Sequence, residues 1–94
     1  MDISVVVPSF NERESLPELC SRIRAVMTAG SFSYEIIIVN DGSTDGSWDT
    51  VCSLSKEDKN IHGICFRRNY GKSAALFCGF RKAEGDVVFT MDAD

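Results

Sequence analysis

Residues 34–47 read YEIIIVNDGSTDGS: a short β-branched apolar run is followed at once by a loop rich in glycine, serine and aspartate. A continuous apolar run of this length is typical of a strand buried on both faces of a sheet. Comparable runs occur at residues 3–7 (ISVVV), 61–66 and 86–91. The sequence therefore predicts four short buried strands, the second of them over residues 34–39.

Three stretches with helical periodicity separate these strands. The first helix begins near Ser15, which has the spacing of a capping box with Glu18, and it stops at Gly30. Its predicted inner face consists of Leu16, Leu19, Cys20, Ile23, Val26 and Met27. The inner face of the second helix is predicted to consist of Trp48, Val51 and Cys52. This helix is predicted to end within residues 56–60. The third is predicted over residues 72–83.

The order of elements is therefore βαβαβαβ with short connections. Helices between successive strands favour parallel pairing, and right-handed crossovers place helices on both faces of an open sheet. In the third helix the small residues Ala74, Ala75 and Gly79 suit close packing on that sheet. The predicted fold class is α/β, with an open, mostly parallel sheet of strand order 3-2-1-4.

Length and charge limit the function classes. The chain has 94 residues and a formal net charge of −4, which is typical of one small acidic domain and a poor match for a nucleic-acid-binding protein. No apolar run approaches the roughly 20 residues of a membrane span, and no signal peptide is evident at the start. From the sequence we expect a cytoplasmic protein.

Four cysteines lie at positions 20, 52, 65 and 78, among apolar neighbours. None has the Cys-x-x-Cys spacing and His62 is the only histidine, so a zinc site has little support. We expect buried, reduced thiols in preference to disulfides.

The polar segments that follow the strands should meet at one edge, because ligands of open parallel sheets bind beyond the carboxyl ends of the strands. The loop after the first strand contains Pro8 and no glycine, which disfavours a dinucleotide site. Gly71 and Lys72 resemble the end of a phosphate-binding P-loop, but its first glycine would fall at Phe66. Neither nucleotide motif therefore matches.

The aspartates at this edge are more informative. Asp41, Asp92 and Asp94 would repel one another unless a positive group balanced them. A divalent cation that binds a diphosphate would do so, because Mg²⁺ takes one or two carboxylates and completes its shell with phosphate oxygens and water. In the extended Asp92-Ala93-Asp94 segment both carboxylates lie on one side. The alternative is a merely solvated strand end.

Four ordered segments resemble a known family: PSFNE, VNDGSTD, RNYGKSAAL and GDVVFTMDAD. Together they resemble the family-2 glycosyltransferases of the GT-A fold, over almost the whole chain. The RNYGK segment followed by MDAD is most similar to the branch that makes polyprenyl-phosphate sugars, such as dolichol-phosphate mannose synthase. The resemblance implies a Rossmann-like half of a GT-A fold, and we interpret residues 1–94 as a single nucleotide-sugar-binding domain cut after the DxD motif.

The resemblance also implies roles for individual residues. Nucleotide-sugar contacts fall on Pro8, Phe10, Glu12, Asp41, Gly42, Ser43, Gly71, Lys72 and Asp92. Asp41 matches the acid that reads the base, with Asn40 in place of a first acid, and Lys72 is expected to neutralise phosphate charge. Asp92 and Asp94 match the DxD motif that holds Mg²⁺ or Mn²⁺, Asp94 as the direct ligand. No catalytic base is identified in the chain.

The implied reaction is transfer of a sugar from a UDP- or GDP-sugar to an acceptor, with a polyprenyl phosphate at the cytoplasmic face of a membrane as the expected acceptor. We expect the 94-residue chain by itself to be inactive in transfer. Two alternatives remain open. One is a non-catalytic nucleotide-binding module that self-associates through the edge of the fourth strand. The other is a nucleotidyltransferase, although SFNERE lacks the expected glycine-rich basic loop.

Other conspicuous residues have structural interpretations. Trp48 is expected to anchor the core, and His62 to be structural. Asp45 and Asp49 suit the start of the second helix, where negative charge is stabilised by the helix dipole. For Arg67, Arg68 and Tyr70 we favour a position on the solvated surface over a role in the site.

Overall fold

The computed structural model describes residues 1–93 of the chain. Four strands alternate with three helices in the predicted order, with only small shifts at the ends of the elements. The elements are β1 (Ile3–Ser9), α1 (Leu16–Ala29), β2 (Tyr34–Asn40), α2 (Ser47–Glu57), β3 (Ile61–Cys65), α3 (Lys72–Lys82) and β4 (Val87–Thr90).

The strands form one four-stranded sheet in the order β3-β2-β1-β4, and every pair is parallel. The fold class and the strand order are both as predicted. In the register Val5 lies beside Ile36 on one side and beside Phe89 on the other. The two central strands are buried along almost their whole length, which explains their continuous apolar sequence.

Helices cover both faces of the sheet. On one face α1 and α2 enclose the larger core, which includes Val5, Ile36 and Ile38. On the other face α3 packs on β1 and β2. The approach of α3 is so close that a Cβ atom on Gly79 would lie 2.3 Å from a methyl group of Val6. The small residues of α3 therefore allow the close packing that the sequence predicts.

The inner face of α1 is narrower than predicted. Leu16, Cys20, Ile23 and Met27 are buried, and Leu19 is partly buried against the core. Val26, which we expected to face inward, is 64% exposed. Its position turns it away from the sheet, so the apolar periodicity overestimates the buried face by one residue.

The capping box predicted at the start of α1 is wrong. Ser15 has helical backbone angles, and its side chain makes no capping hydrogen bond. The backbone N–H groups of Ser15 and Leu16 instead donate to the carbonyl oxygen of Glu12, and Glu18 pairs with Arg22 at 2.9 Å. A turn of the preceding loop thus satisfies the Ser15 N–H, which the Glu18 side chain would have served in a capping box. Gly30 ends the helix as predicted.

The four cysteines are free thiols, but their environments differ. Cys20 is buried, and desolvation raises the pKa of its thiol to about 11. Cys52 and Cys78 are half-buried. Cys65 is exposed, which corrects the expectation that all four are buried, because it ends β3 at the side of the sheet where β3 has no further neighbour.

Candidate nucleotide site at the carboxyl ends of the strands

A cavity of about 390 Å³ lies at the carboxyl ends of the strands, where the sequence places the site. Residues at the ends of the strands or in the loops that follow all four of them contribute to its wall. The lining residues are Pro8, Ser9, Phe10, Glu12, Asp41, Asn69, Gly71, Lys72, Asp92 and Ala93. Seven of the predicted site residues are among them, so one cavity unites segments that are far apart in the chain.

Two predicted site residues, Gly42 and Ser43, do not line the cavity but shape the loop behind it. The Ser43 hydroxyl accepts a hydrogen bond from the Asn11 N–H at 2.9 Å, and the Asn11 side-chain oxygen accepts one from the Thr44 N–H at 2.9 Å. Asn11 has a positive φ of 53°. These reciprocal bonds join the loop after β1 to the loop after β2, and so position Phe10 and Glu12 at the cavity.

Asp41 is the most extensively bonded side chain of the site, and it is only 5% exposed. Its Oδ1 accepts a hydrogen bond from the Tyr70 N–H at 2.7 Å, and its Oδ2 accepts one from the Gly71 N–H at 3.0 Å. The Asn69 side-chain amide donates to both the Oδ2 and the backbone carbonyl of Asp41, each at 3.2 Å. The Asp41 N–H in turn donates to the Ser9 carbonyl at 2.8 Å.

Gly42 allows the loop after β3 to approach the loop after β2. It has a φ of 72°, and a Cβ atom there would lie 2.3 Å from the carbonyl carbon of Arg68 and 2.4 Å from the Asn69 nitrogen. A side chain at position 42 is therefore excluded by both conformation and space. The glycine is needed for the contact between the two loops, and its role at the cavity is indirect.

The opposite wall of the cavity carries an ion pair. Lys72, the first residue of α3, places its Nζ 2.8 Å from Oδ1 of Asp92, and both side chains are more than half exposed. Both groups face the cavity. The site thus combines one buried carboxylate, held by backbone donors, with an exposed carboxylate and an ammonium group.

The oxygen ligands that this site offers suit a divalent cation that is bound jointly by protein carboxylates and substrate phosphates. Within residues 1–93 no three acidic, histidine or cysteine side chains are grouped as a complete metal cage. Asp92 offers an exposed carboxylate in the cavity, and Mg²⁺ typically combines one or two carboxylates with phosphate oxygens and water. Asp94, the other predicted ligand, lies outside the described residues.

The sequence interpretation missed Ser9, Asn69 and Ala93 as lining residues. Asn69 was detectable in principle, because it stands in the polar loop between β3 and Gly71 and carries two amide donors. Ser9 and Ala93 gave no signal, since small residues at strand ends are common. Which side chains of the loop turn toward Asp41 depends on contacts between distant segments.

The residues given structural interpretations are found outside the cavity. Trp48 packs against the larger core, and His62 Nε2 lies 3.7 Å from Oε1 of the buried Glu35. At the start of α2, Asp45 accepts hydrogen bonds from the Ser47 hydroxyl and from the Ser47 N–H. The Ser47 hydroxyl lowers the pKa of the Asp45 carboxyl. Asp45 thus serves the helix start, as expected.

The exposed basic doublet also stays apart from the cavity wall. The Arg68 guanidinium lies over the Tyr70 ring at 5.1 Å, and its Nε donates to the Tyr70 hydroxyl at 3.1 Å. Arg67 is exposed. Among the described residues, neither Arg67 nor Arg68 lines the cavity.

An open parallel α/β sheet with a cavity at the carboxyl ends of its strands has the architecture in which nucleotide-binding proteins hold their ligands. The chain belongs to glycosyl transferase family 2, whose model matches residues 4–94. The family assignment made from the four motifs is therefore confirmed.

Similar proteins include undecaprenyl-phosphate 4-deoxy-4-formamido-L-arabinose transferases. The protein from Pseudomonas fluorescens is 45% identical over 93 residues, which cover 98% of this chain and 27% of that protein. The one from Aeromonas hydrophila is 44% identical, with 98% of this chain and 28% of that protein covered. The chain thus spans a little over a quarter of the length of these curated relatives. The similarity to the polyprenyl-phosphate sugar branch is confirmed.

Solved structures share the fold of this chain. A mannosyltransferase from Pyrobaculum calidifontis, in complex with GDP-Man and Mn²⁺, superposes with a TM-score of 0.83 at 26% identity. The alignment covers 98% of this chain and 27% of that one. TarS of S. aureus, in complex with UDP-GlcNAc, has a TM-score of 0.82 at 24% identity, over 100% of this chain and 27% of that one. The fold is the Rossmann-like part of a GT-A glycosyltransferase.

Proposed function

We propose that residues 1–94 are the donor-binding part of a glycosyltransferase that takes its sugar from a nucleotide-diphosphate sugar. The single observation that carries this proposal is the cavity in which Asp41, Lys72 and Asp92 meet. The cavity is a groove between loops. It contains the Lys72 ammonium group, which can neutralise phosphate charge, and the Asp92 carboxylate, which can bind a metal ion. Family membership and the nucleotide-sugar ligands of the similar structures support it.

Each wall of the cavity has a proposed task. Pro8, Phe10 and Glu12 contact the nucleoside, with the exposed ring of Phe10 available for stacking. Gly71 lets the backbone approach the ligand, and Lys72 faces the diphosphate. Asp92, with Asp94, holds Mg²⁺ or Mn²⁺. A bound divalent ion would supply stabilisation of the negative charge on the leaving diphosphate.

We propose a polyprenyl phosphate as the acceptor, since the similar proteins from Pseudomonas fluorescens and Aeromonas hydrophila are named for transfer to undecaprenyl phosphate. An anionic phosphate oxygen is already a nucleophile, so this acceptor needs a general base less than a hydroxyl acceptor would. Within residues 1–93 no helix is long and apolar enough to cross a membrane. The proposed place of action is the cytoplasmic face of the membrane where such a lipid would lie.

We propose further that these residues form one domain that binds the donor and needs additional sequence for transfer. The support is the length of the relatives, of which this chain spans a little over a quarter. The nucleotidyltransferase alternative has no observation in its favour, because the family match accounts for all four motifs. Self-association through β4 is compatible with donor binding, because β4 lies at the edge of the sheet.

Titration calorimetry of the chain with UDP and GDP, with and without Mn²⁺, tests the proposal. We expect one nucleotide to bind and Mn²⁺ to strengthen binding at least several-fold, because the ion bridges carboxylate and diphosphate. Asp92→Asn and Asp94→Asn should each remove most of that metal-dependent gain. Asp86→Asn is the matched control, since Asp86 is exposed at the opposite end of the same strand.

Absent binding, or identical binding with and without the metal, would contradict donor binding. Transfer of a labelled sugar to a polyprenyl phosphate by the 94-residue chain itself would contradict its proposed dependence on additional sequence.

A further inference from the structure

We propose that Asn11 is a positioning residue: it joins the loop after β1 to the loop after β2 and thereby sets the affinity of the cavity for the nucleoside, while binding of the diphosphate does not depend on it. The proposal rests on the proposed function, because it concerns the part of the same cavity to which we assign nucleoside contacts. Asn11 does not itself line that cavity, and no role was predicted for it from the sequence.

The first argument is a set of hydrogen bonds between the two loops. The Asn11 N–H donates to the Ser43 hydroxyl at 2.9 Å, and the Asn11 Oδ1 accepts a hydrogen bond from the Thr44 N–H at 2.9 Å. The Arg13 N–H donates to Oδ2 of Asp45 at 3.3 Å. Of these three bonds Asn11 makes two, one through its backbone and one through its side chain. The contact between the loops therefore depends on this residue more than on its neighbours.

The second argument is the backbone conformation of Asn11. Its φ is 53°, in the left-handed region that residues other than glycine seldom adopt and in which asparagine is enriched. Residues in such sparsely populated conformations persist where their surroundings compensate the cost, and they cluster at ligand sites. The bonds to Ser43 and Thr44 are compensation of this kind. The conformation of the loop and its contact with the second loop thus support one another.

The third argument is what lies on either side of Asn11. Phe10 and Glu12 both line the cavity, so a change of the backbone at position 11 moves two proposed nucleoside contacts at once. Lys72 and Asp92, which are proposed to face the diphosphate and its metal, belong to other segments, since Lys72 begins α3 and Asp92 follows β4. Their side chains pair with one another at 2.8 Å. Loosening the loop after β1 should therefore leave the diphosphate part of the cavity in place.

A positioning role and a merely structural role predict different results. If Asn11 positions the nucleoside contacts, its replacement weakens binding of UDP or GDP and leaves binding of inorganic pyrophosphate unaffected. If Asn11 only stabilises the fold, its replacement lowers the free energy of unfolding and changes neither affinity. Titration calorimetry with UDP, GDP and pyrophosphate, each with Mn²⁺, separates the two when it is combined with urea unfolding. Retained pyrophosphate binding also shows that a variant is folded.

Asn11→Gly is the central variant, because glycine adopts a positive φ without strain and only the Oδ1 acceptor is lost. We expect it to weaken nucleotide binding by about 3- to 10-fold, as for the loss of one hydrogen bond, with the affinity for pyrophosphate unchanged. Asn11→Asp keeps an oxygen acceptor and should restore most of the lost affinity. Asn11→Ala should weaken nucleotide binding further than Asn11→Gly, because alanine also disfavours the positive φ.

Two more variants complete the design. Ser43→Ala removes the acceptor of the Asn11 N–H and should also weaken nucleotide binding. Combined with Asn11→Gly it should cost less than the product of the two single losses, because both substitutions disrupt one contact between the loops. Ser31→Ala is the matched control for backbone strain: Ser31 has a φ of 57° and lies between α1 and β2, at the opposite end of the sheet. This variant should bind nucleotide like the unmodified chain.

Equal weakening of nucleotide and pyrophosphate in Asn11→Gly, or unchanged nucleotide binding, would overturn the role of Asn11 and leave donor binding intact. An unmodified chain that binds neither nucleotide nor pyrophosphate would overturn the proposed function and this proposal together. Amide hydrogen exchange provides a readout without ligand, because the Thr44 N–H should exchange faster in Asn11→Gly than in the unmodified chain while the central strands stay protected. Equal exchange at Thr44 in the two proteins would also overturn the proposal.

Discussion

At the scale of single residues, Asp41 shows how one buried carboxylate organises a loop that lies 28 to 30 positions away in the chain. Three donors converge on it, two of them backbone N–H groups that have no partner in a helix or strand. A buried carboxylate is costly unless such donors compensate its desolvation. Asp41 and residues 69–71 therefore stabilise one another, and neither local sequence specifies the arrangement alone.

The glycines on either side of this contact give a stability prediction. Gly42→Ala should destabilise the fold more than Gly71→Ala. Both positions have positive φ values, of 72° and 99°, which cost about 1–3 kcal/mol for an alanine. Only position 42 adds a clash, because its Cβ would lie 2.3 Å from the Arg68 backbone. Urea unfolding followed by circular dichroism measures both variants.

Gly46→Ala is a useful third variant, since its φ is also positive, at 86°, while its nearest neighbours are atoms of the flexible Arg13 side chain at 3.7 and 3.8 Å. It should destabilise the fold less than Gly71→Ala, because Gly46 has left-handed helical angles, whereas Gly71, with a ψ of 162°, lies in a region open essentially to glycine alone. If alanine at positions 42, 46 and 71 lowered the free energy of unfolding equally, the close contact between position 42 and the Arg68–Asn69 backbone would not contribute to the cost.

Among the elements, the connection from α3 to β4 is held by Glu35 near the start of the two central strands. Its Oε2 accepts hydrogen bonds from the Ser4 hydroxyl at 2.6 Å and the Glu84 N–H at 2.7 Å. The Ser4 hydroxyl accepts one from the Gly85 N–H at 2.8 Å. Glu35 is almost fully buried. This network holds the start of β4 beside β1.

Glu35→Gln should lower the free energy of unfolding by about 1 kcal/mol, because the Ser4 hydroxyl and the Glu84 N–H would donate to a neutral amide oxygen, which is a weaker acceptor than the carboxylate Oε2. Nucleotide affinity should not change, since Glu35 lies at the end of the sheet opposite the cavity. Urea unfolding and calorimetry with the bound nucleotide test the two expectations.

The exposed Glu57, at the end of α2, offers the same substitution without the network, and Glu57→Gln should be neutral. A Glu35→Gln variant as stable as the unmodified chain would refute the fastening role. A parallel loss of nucleotide affinity in a folded Glu35→Gln variant would show that the two ends of the sheet are coupled.

At the scale of the whole molecule, the sheet is unevenly covered. All four residues of β4 are exposed, including the apolar Val87, Val88 and Phe89. Within residues 1–93, β4 pairs only with β1, so its other edge is open to a further strand. An apolar open edge is a site of strand pairing between molecules. We therefore expect the 94-residue chain to self-associate.

Sedimentation velocity over a range of concentrations should show a shift to larger species. Val88→Lys should reverse it, because a charge in the middle of an edge strand opposes pairing. Ser53→Lys, at an exposed position of α2, adds the same charge away from the edge and should leave association unchanged. A chain that sediments as a monomer at every concentration would refute association through β4.

The α/β class, the parallel strand order and the edge of the sheet where the cavity lies could all be predicted from the amino-acid sequence. Alternation of buried apolar runs with amphipathic stretches is a local pattern, and parallel connections leave few topologies. The motifs also determined the family, because their residues and order are preserved in the chain itself.

Which side chains come into contact depends on the tertiary structure. The link from Asp41 to Asn69 and that from Glu35 to Glu84 each join segments that become neighbours only after the sheet has formed. The replaced capping box at Ser15 and the exposed Val26 have the same origin, since a loop carbonyl and the position of α1 on the sheet overrode local preferences. Hydrogen bonds and burial depend on distances between such segments, and no local pattern encodes those distances.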